Sequence, residues 1–135
     1  MAAQIIVITE SSPNYAELSR LRKVKWAWTS ATGGAVADQT AAGQVNKTSY
    51  KYTGEIVRLI TNPGSTAPTD NYDVTILDDD GYDVLMDAGA NRDTSNTEQV
   101  LASSLGVCID SKLRLNIANA GDAKVGEVII YIKQP

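Results

Sequence analysis

Hydrophobic and polar residues alternate with a period of two in short runs along this chain, and clusters of Gly, Pro, Asn and Asp separate the runs. Side chains on a β-strand point alternately to its two faces, so the pattern predicts strands with one buried face. Many short strands joined by turn-rich segments are typical of a β-sandwich, and we expect an all-β sandwich of jelly-roll type. The predicted strands cover residues 4–10, 23–30, 47–53, 54–62, 71–78, 82–87, 107–110, 112–119 and 126–133.

The second predicted strand has two faces of different chemistry. Val24, Trp26 and Trp28 share one face, and Lys23 and Lys25 lie on the other. We interpret both tryptophans as core residues, because each buries a large area. Basic residues beside aromatic ones also occur in single-strand nucleic-acid binding sites. The alternation disfavours that interpretation, because the tryptophans point away from the lysines.

The last predicted strand is apolar on both faces. Ile129 and Tyr131 lie on one face, and Val128, Ile130 and Ile132 lie on the other. Such a strand is either central in the sandwich or covered on one side by something else. The loop over 31–46 is rich in Gly, Ala and Thr. Loops of this length in compact domains are usually functional or ordered by a partner.

One short helix is predicted over 95–105, where Ser95 and Glu98 have the spacing of a capping box. A shorter helical turn is predicted over 14–21. No internal repeat, heptad pattern or domain boundary is visible in the sequence. We therefore expect a single domain that spans 1–135.

Asp80 and Gly81 predict a tight turn between two apolar runs, because both central positions of a type I′ turn need a positive φ. If the loop consists of these two residues alone, Asp78 lies directly opposite Asp83. Two facing carboxylates are unfavourable. Either a bulge shifts the register, or a cation or a basic side chain compensates the charge.

Composition and charge narrow the function classes. A chain of 135 residues with 43% hydrophobic and 21% charged residues can form one ordinary core. Its net charge of −4 and its pI near 4.7 disfavour binding to nucleic acid or to anionic membranes. The first residues lack the basic region and the long apolar stretch of a secretion signal, so we expect synthesis in a cytoplasm.

The chain contains no histidine and only one cysteine, Cys108. Catalytic triads and zinc sites depend on these residue types, so we expect neither an enzyme nor a cofactor. Cys108 lies in an apolar run, and we interpret it as a small buried hydrophobic residue. The triplet at 46–48 matches a glycosylation sequon, which we interpret as a chance match in the absence of a secretion signal.

Two segments of opposite charge are the candidate binding sites, an acidic segment over 70–93 and a basic segment over 20–25. For the acidic segment three interpretations stay open: a solvated rim, a surface that meets basic residues of a partner, or a metal site. The basic segment has the charge to meet the acidic segment of a neighbouring copy. The predicted partner-binding residues are Arg20, Arg22, Lys23, Lys25, Asp78, Asp79, Asp80, Asp83, Ile129 and Tyr131.

Four stretches resemble small structural proteins encoded in the head gene clusters of tailed bacteriophages, in particular the capsid cement or decoration proteins of short-tailed phages. These stretches are WAWTS at 26–30, TGEIV at 53–57, PTDNYDV at 68–74 and DGYDVL at 80–85. The likeness extends to the last two predicted strands, at 112–119 and 126–133, which we expect to form a C-terminal hairpin. It consists of turn and strand patterns and carries no catalytic residues.

The resemblance implies a virion structural protein that binds the capsid exterior and is made in the cytoplasm of a bacterial host. Its implied partners are the major capsid protein and further copies of itself, in a dimer or trimer, with no nucleic acid and no membrane. The first alternative is a collar, connector or tail component of the same virion. The second is a carbohydrate-binding β-sandwich module that uses Trp26, Trp28 or the tyrosines.

Overall fold

The computed structural model describes residues 3–12 and 20–135. The helical turn predicted over 14–21 lies, up to residue 19, outside the described residues. The elements are the strands β1 (Ile5–Ser11), β2 (Leu21–Thr29), β3 (Tyr52–Pro63), β4 (Asp73–Leu77), β5 (Glu98–Leu101), β6 (Val107–Ser111), β7 (Arg114–Ala118) and β8 (Val125–Lys133), with a 3₁₀ turn at Ala102–Ser104.

Six of these strands form one antiparallel sheet with the order β1-β2-β8-β3, in which β3 continues to β5 along one part and to β6 along another. Strands β4 and β7 form a second antiparallel sheet. An isolated bridge between Val36 and Ile117 extends this second layer. Buried residues from both sheets form one core, so the all-β, sandwich-like architecture is confirmed.

The inner face of β2 carries the largest core residues, as predicted. Val24, Trp26 and Trp28 are buried. The indole Nε1 of Trp26 donates a hydrogen bond to the backbone oxygen of Asn46 at 2.9 Å. The rings of Trp28 and Tyr72 pack with their centroids 5.8 Å apart. Burial raises the pKa of Tyr72 to about 12, so its hydroxyl stays protonated in the core.

Strand β8 is central, between β2 and β3, which explains its apolar character. Val128, Ile130 and Ile132 are fully buried on the inner side. Ile129 and Tyr131 lie on the other side and are only half-buried. Because β8 has a neighbouring strand on each side, the side chains of those strands partly cover its outer apolar residues.

The helix predicted over 95–105 is wrong. Glu98–Leu101 form β5, which pairs with β3, and only Ala102–Ser104 make a 3₁₀ turn. The Glu98 carboxylate accepts a hydrogen bond from the backbone N–H of Asp93 at 2.8 Å. Pairing with β3, distant in sequence, outweighs the local helix preference of this segment.

Two strand predictions also differ from the structure. The strand predicted at 54–62 is confirmed as part of β3, which begins at Tyr52, whereas residues 47–51 of the strand predicted at 47–53 lie outside β3 and Lys47 makes only an isolated bridge. The strand predicted at 82–87 is a series of turns. Its residues Met86 and Asp87 have φ values of 53° and 64°, which an extended strand cannot contain.

The predicted facing of Asp78 and Asp83 does not occur. The N–H of Gly81 donates to the carbonyl of Asp78 at 3.0 Å, and the N–H of Asp78 donates to the carbonyl of Tyr82 at 2.9 Å. Gly81 has a φ of 86°, so the loop has three residues and ends in a bulge. The bulge places Asp78 opposite Tyr82. The prediction that a bulge shifts the register is therefore confirmed.

The long loop over 31–46 is held by the chain itself. The buried side chain of Gln4 donates to the carbonyl oxygen of Ala37 at 2.7 Å and accepts from the N–H of Ala37 at 2.9 Å. The Asn46 side chain is buried and donates to the carbonyl oxygen of Leu115 at 2.7 Å. These contacts fasten the loop to β1 and β7.

Candidate binding surface

The outer face of the six-stranded sheet, the side that points away from the second layer, is uncovered by any other described part of the chain. Most of the exposed large hydrophobic side chains lie on it. Their strand neighbours Ile6, Val100 and Cys108 point into the core, which fixes the orientation. The exposed residues of this face, with 55% to 74% of their surface accessible, are Ile5, Val7, Leu101, Val107 and Ile109.

One edge of the outer face forms an apolar margin, which we define as Leu101 on β5 with Val107 and Ile109 on β6. A groove of about 330 Å³ adjoins it, lined in part by Gly54, Val107 and Cys108. The Cys108 thiol is buried, and burial raises its pKa to about 11. Cys108 is therefore a protonated, small hydrophobic residue beneath the groove, as predicted.

The middle of the outer face forms a basic centre, which we define as Lys23, Lys25 and Arg58 around Tyr131. Lys23 and Arg58 are the cross-strand partners of Tyr131 on either side. The Lys23 Nζ atom and the Arg58 Cζ atom each lie 5.7 Å from the centroid of the Tyr131 ring, within the range of cation–π contacts. Ile129 lies beside Tyr131 on the same strand.

An ion pair lies within this face. The Lys25 Nζ atom is 2.9 Å from the Glu127 Oε2 atom, and this hydrogen bond lowers the pKa of Glu127. Basic side chains nevertheless outnumber acidic ones on the face, whereas the whole chain has a net charge of −4. The basic ones are Lys23, Lys25, Arg58 and Lys133, and the acidic ones are Glu55 and Glu127.

The structure brings four of the predicted partner-binding residues together on the outer face: Lys23, Lys25, Ile129 and Tyr131. Arg20 is exposed just before β2. Arg22 belongs to the inner side of β2, opposite Ile132, and lines a separate polar cavity with Glu10 and Tyr52. Arg22 therefore lies apart from the basic centre.

Sequence reasoning missed several residues of this face. Arg58 could not be assigned to this face from the sequence, because a bulge between Ile56 and Arg58 shifts the alternation of β3. Val107 and Ile109 did alternate with Cys108 in the sequence, but edge and central strands cannot be distinguished from so short a run. The residues missed are Ile5, Val7, Arg58, Leu101, Val107 and Ile109.

The predicted acidic residues belong to the second layer, and three of them hold backbone N–H groups. Asp78 Oδ1 accepts from the N–H groups of Asp80 and Tyr82, both at 2.9 Å. Asp79 Oδ2 accepts from the N–H of Lys112 at 3.2 Å. The exposed Asp80 carboxylate accepts no hydrogen bond from the described residues. Within residues 3–12 and 20–135, no group of acidic or cysteine side chains could hold a metal ion.

Asp83 organises the turns that follow β4. Its Oδ1 atom accepts from the N–H groups of Ile76 at 3.1 Å and Leu85 at 3.0 Å, and its Oδ2 atom accepts from the N–H of Asp87 at 2.9 Å. One carboxylate thus satisfies donors from three positions. The isolated bridge between Leu77 and Asp83 fixes the same segment.

Asp83→Ala is expected to lower the free energy of unfolding by about 2 kcal/mol, because it removes an acceptor from backbone donors, as the loss of a helix cap does. Urea denaturation at pH 7 followed by circular dichroism measures this difference. Asp80→Ala is the matched control and should change stability by less than about 0.5 kcal/mol. Equal stability of the two variants would contradict the role given to Asp83.

No family model matches this chain, and comparison with curated proteins and with solved structures finds no similar protein. None of the helical segments in the described ranges is long and apolar enough to cross a membrane. The resemblance of the sequence motifs to bacteriophage head proteins therefore stays a prediction.

Proposed function

We propose that this chain is a non-catalytic structural protein that attaches to a protein assembly through its outer face. The observation that carries the proposal is the apolar margin of Leu101, Val107 and Ile109, whose side chains are exposed at one edge of the six-stranded sheet. Contiguous apolar surface on a soluble domain marks an interaction site, because its burial against a partner is favourable.

We propose further that the assembly is the capsid of a tailed bacteriophage, that the chain acts there as a cement or decoration protein on the exterior, and that the major capsid protein is the partner. The sequence motifs support this identification, and the surface chemistry fits it. A cement protein has to contact neighbouring subunits with preformed surface. Strands hold the margin and its adjacent groove in fixed positions, so little ordering is needed on binding.

The carbohydrate-binding alternative needs exposed aromatic rings. Trp26 and Trp28 are buried, so neither ring can stack on a sugar, and this alternative would have to use the exposed rings of Tyr50 and Tyr82. The collar, connector and tail alternative uses the same surface chemistry as the decoration role. Copy number separates these two roles, because shell proteins and connectors follow different symmetries.

Purified virions of the phage that encodes this chain provide the first test. Quantitative mass spectrometry is expected to find the protein in hundreds of copies per particle, whereas about a dozen copies would assign it to a collar or connector. Its absence from the particle would overturn the proposal.

Particles that lack the protein provide the second test. Val107→Asp is expected to reduce binding to such particles at least about tenfold, because it puts a charge into the apolar contact. Val45→Asp is the matched control, since Val45 is exposed in a loop away from the margin. Equal binding of the two folded variants, measured by co-sedimentation, would exclude the margin as the attachment site.

A further inference from the structure

We infer that the basic centre binds the acidic tip of a second copy of this chain, where the acidic tip is the turn at 78–82. Copies would then associate head to tail. This inference rests on the proposed function only in treating the outer face as a protein contact surface. It leaves the apolar margin to the other partner.

The two surfaces cannot meet within one chain. The acidic tip follows β4 in the second layer, which packs against the inner side of the six-stranded sheet. The basic centre lies on the outer side of that sheet, around Tyr131. The sheet itself separates the two charged surfaces, so only a second molecule can bring them together.

Both surfaces carry charges that the described part of the chain leaves unpaired. Among the described residues, neither Lys23 nor Arg58 forms an ion pair with a carboxylate, and Arg58 Nε donates only to the neutral Gln99 side chain at 3.0 Å. On the acidic tip, the Asp80 carboxylate likewise finds no donor in the described chain. These groups are opposite in sign and available for one another.

The acidic tip is accessible to a second molecule. The acidic tip is an open turn: apart from the two chain neighbours of Gly81, no described residue has an atom within 4 Å of the position that a Cβ atom on Gly81 would occupy. Tyr82 beside it has 75% of its surface exposed. Its ring can pack on Ile129 and Tyr131 while the carboxylates of the tip approach the cations around Tyr131. Aromatic and arginine side chains are enriched in such contacts.

Charge also selects the geometry of association. A two-fold dimer that pairs two outer faces would bring one basic centre against another, and like charges across an interface are unfavourable. Docking of the tip onto the centre joins two different surfaces instead. Such a heterologous contact forms a closed ring or an open chain of copies.

Two charge-reversed variants of the purified protein test this inference without any particle. The first reverses the centre (Lys23→Glu with Arg58→Glu) and the second reverses the tip (Asp79→Lys with Asp80→Lys). The unmodified protein is expected to self-associate in analytical ultracentrifugation at low salt and to dissociate as salt screens the charges. Each variant alone should weaken self-association at least about tenfold.

An equimolar mixture of the two variants is expected to regain association, because each native surface finds its native complement and each reversed surface finds its reversed complement. A mixture that associates no better than the separate variants would overturn the inference, as would a native protein that stays monomeric at high concentration. Val107→Asp should self-associate normally. A native protein that self-associates but does not bind the particles would overturn the proposed function alone, and a native protein that binds the particles but stays monomeric would overturn only this inference.

Discussion

Trp26→Ala is expected to lower the free energy of unfolding by about 3–5 kcal/mol, the usual cost of truncating a large buried aromatic side chain. The Trp26 ring is fully buried on the inner face of β2. Its removal leaves a cavity that the surrounding strands, fixed on both sides by β1 and β8, cannot close. It also leaves the carbonyl of Asn46 without the indole donor. Urea denaturation followed by circular dichroism measures the change.

The matched pair Trp26→Phe and Trp28→Phe separates packing from hydrogen bonding. Each substitution shortens a buried ring in the same way. Trp26 loses a donor that is bonded at 2.9 Å, whereas the Nε1 atom of Trp28 has no acceptor among the described residues. Trp26→Phe should therefore cost about 1 kcal/mol more than Trp28→Phe. If the free energy of unfolding of Trp26→Ala lies within about 1 kcal/mol of the native value, the position of Trp26 in the core is contradicted.

The features that could be predicted from sequence are those that depend on local alternation. Trp26 and Trp28 were placed in the core because the period of two is a property of one strand and needs no knowledge of its partner. The half-buried Ile129 and Tyr131 were placed on the outer side of the last strand for the same reason. Lys23 and Lys25 were correctly placed opposite the tryptophans. A partner-binding role for these outer residues stays a prediction.

The features that could not be predicted depend on contacts between distant residues. The segment Glu98–Leu101 has local signals for a helix, but it completes the sheet beside β3, about forty positions earlier in the chain. The four Asp residues predicted to bind a partner, Asp78, Asp79, Asp80 and Asp83, look alike in sequence. Only the folded turns show that Asp83 and Asp78 are occupied by backbone donors while Asp80 is not. Sequence charge alone therefore overstated how much of this segment is available to a partner.

Asn46 shows the same limit. Its position in a polar, sequon-like triplet suggests an exposed side chain, but only 2% of its surface is accessible. Its partner Leu115 is 69 residues further along the chain. Thr48 of the same triplet is also buried and accepts the N–H of Leu113 at 3.0 Å. The amide of Asn46 is thus enclosed in the folded protein, where no glycan can be attached.

Asn46→Asp is expected to lower the free energy of unfolding at pH 7 by about 3–4 kcal/mol, because it places an unpaired charge in a buried site. The Asn46 Nδ2 atom donates to the carbonyl of Leu115 at 2.7 Å and lies 3.1 Å from the Asp38 Oδ1 atom. A carboxylate oxygen in its place would face those acceptors and repel Asp38. The substitution keeps the shape of the side chain, so the effect reports polarity and charge rather than a cavity.

The pH dependence of this effect distinguishes a buried carboxylate from a general loss of fold. Burial and the nearby acceptors raise the folded-state pKa of the introduced carboxyl above its unfolded value of about 3.9. The penalty is therefore fully present above the folded-state pKa and shrinks as the pH falls through it, since the protonated oxygen can donate to Leu115.

Asn71→Asp, at an exposed position, makes the same chemical change and should cost less than about 1 kcal/mol. If Asn46→Asp is as stable as the native protein at pH 7, or if its deficit relative to the native protein does not narrow in acid, Asn46 does not hold the loop over 31–46 against β7.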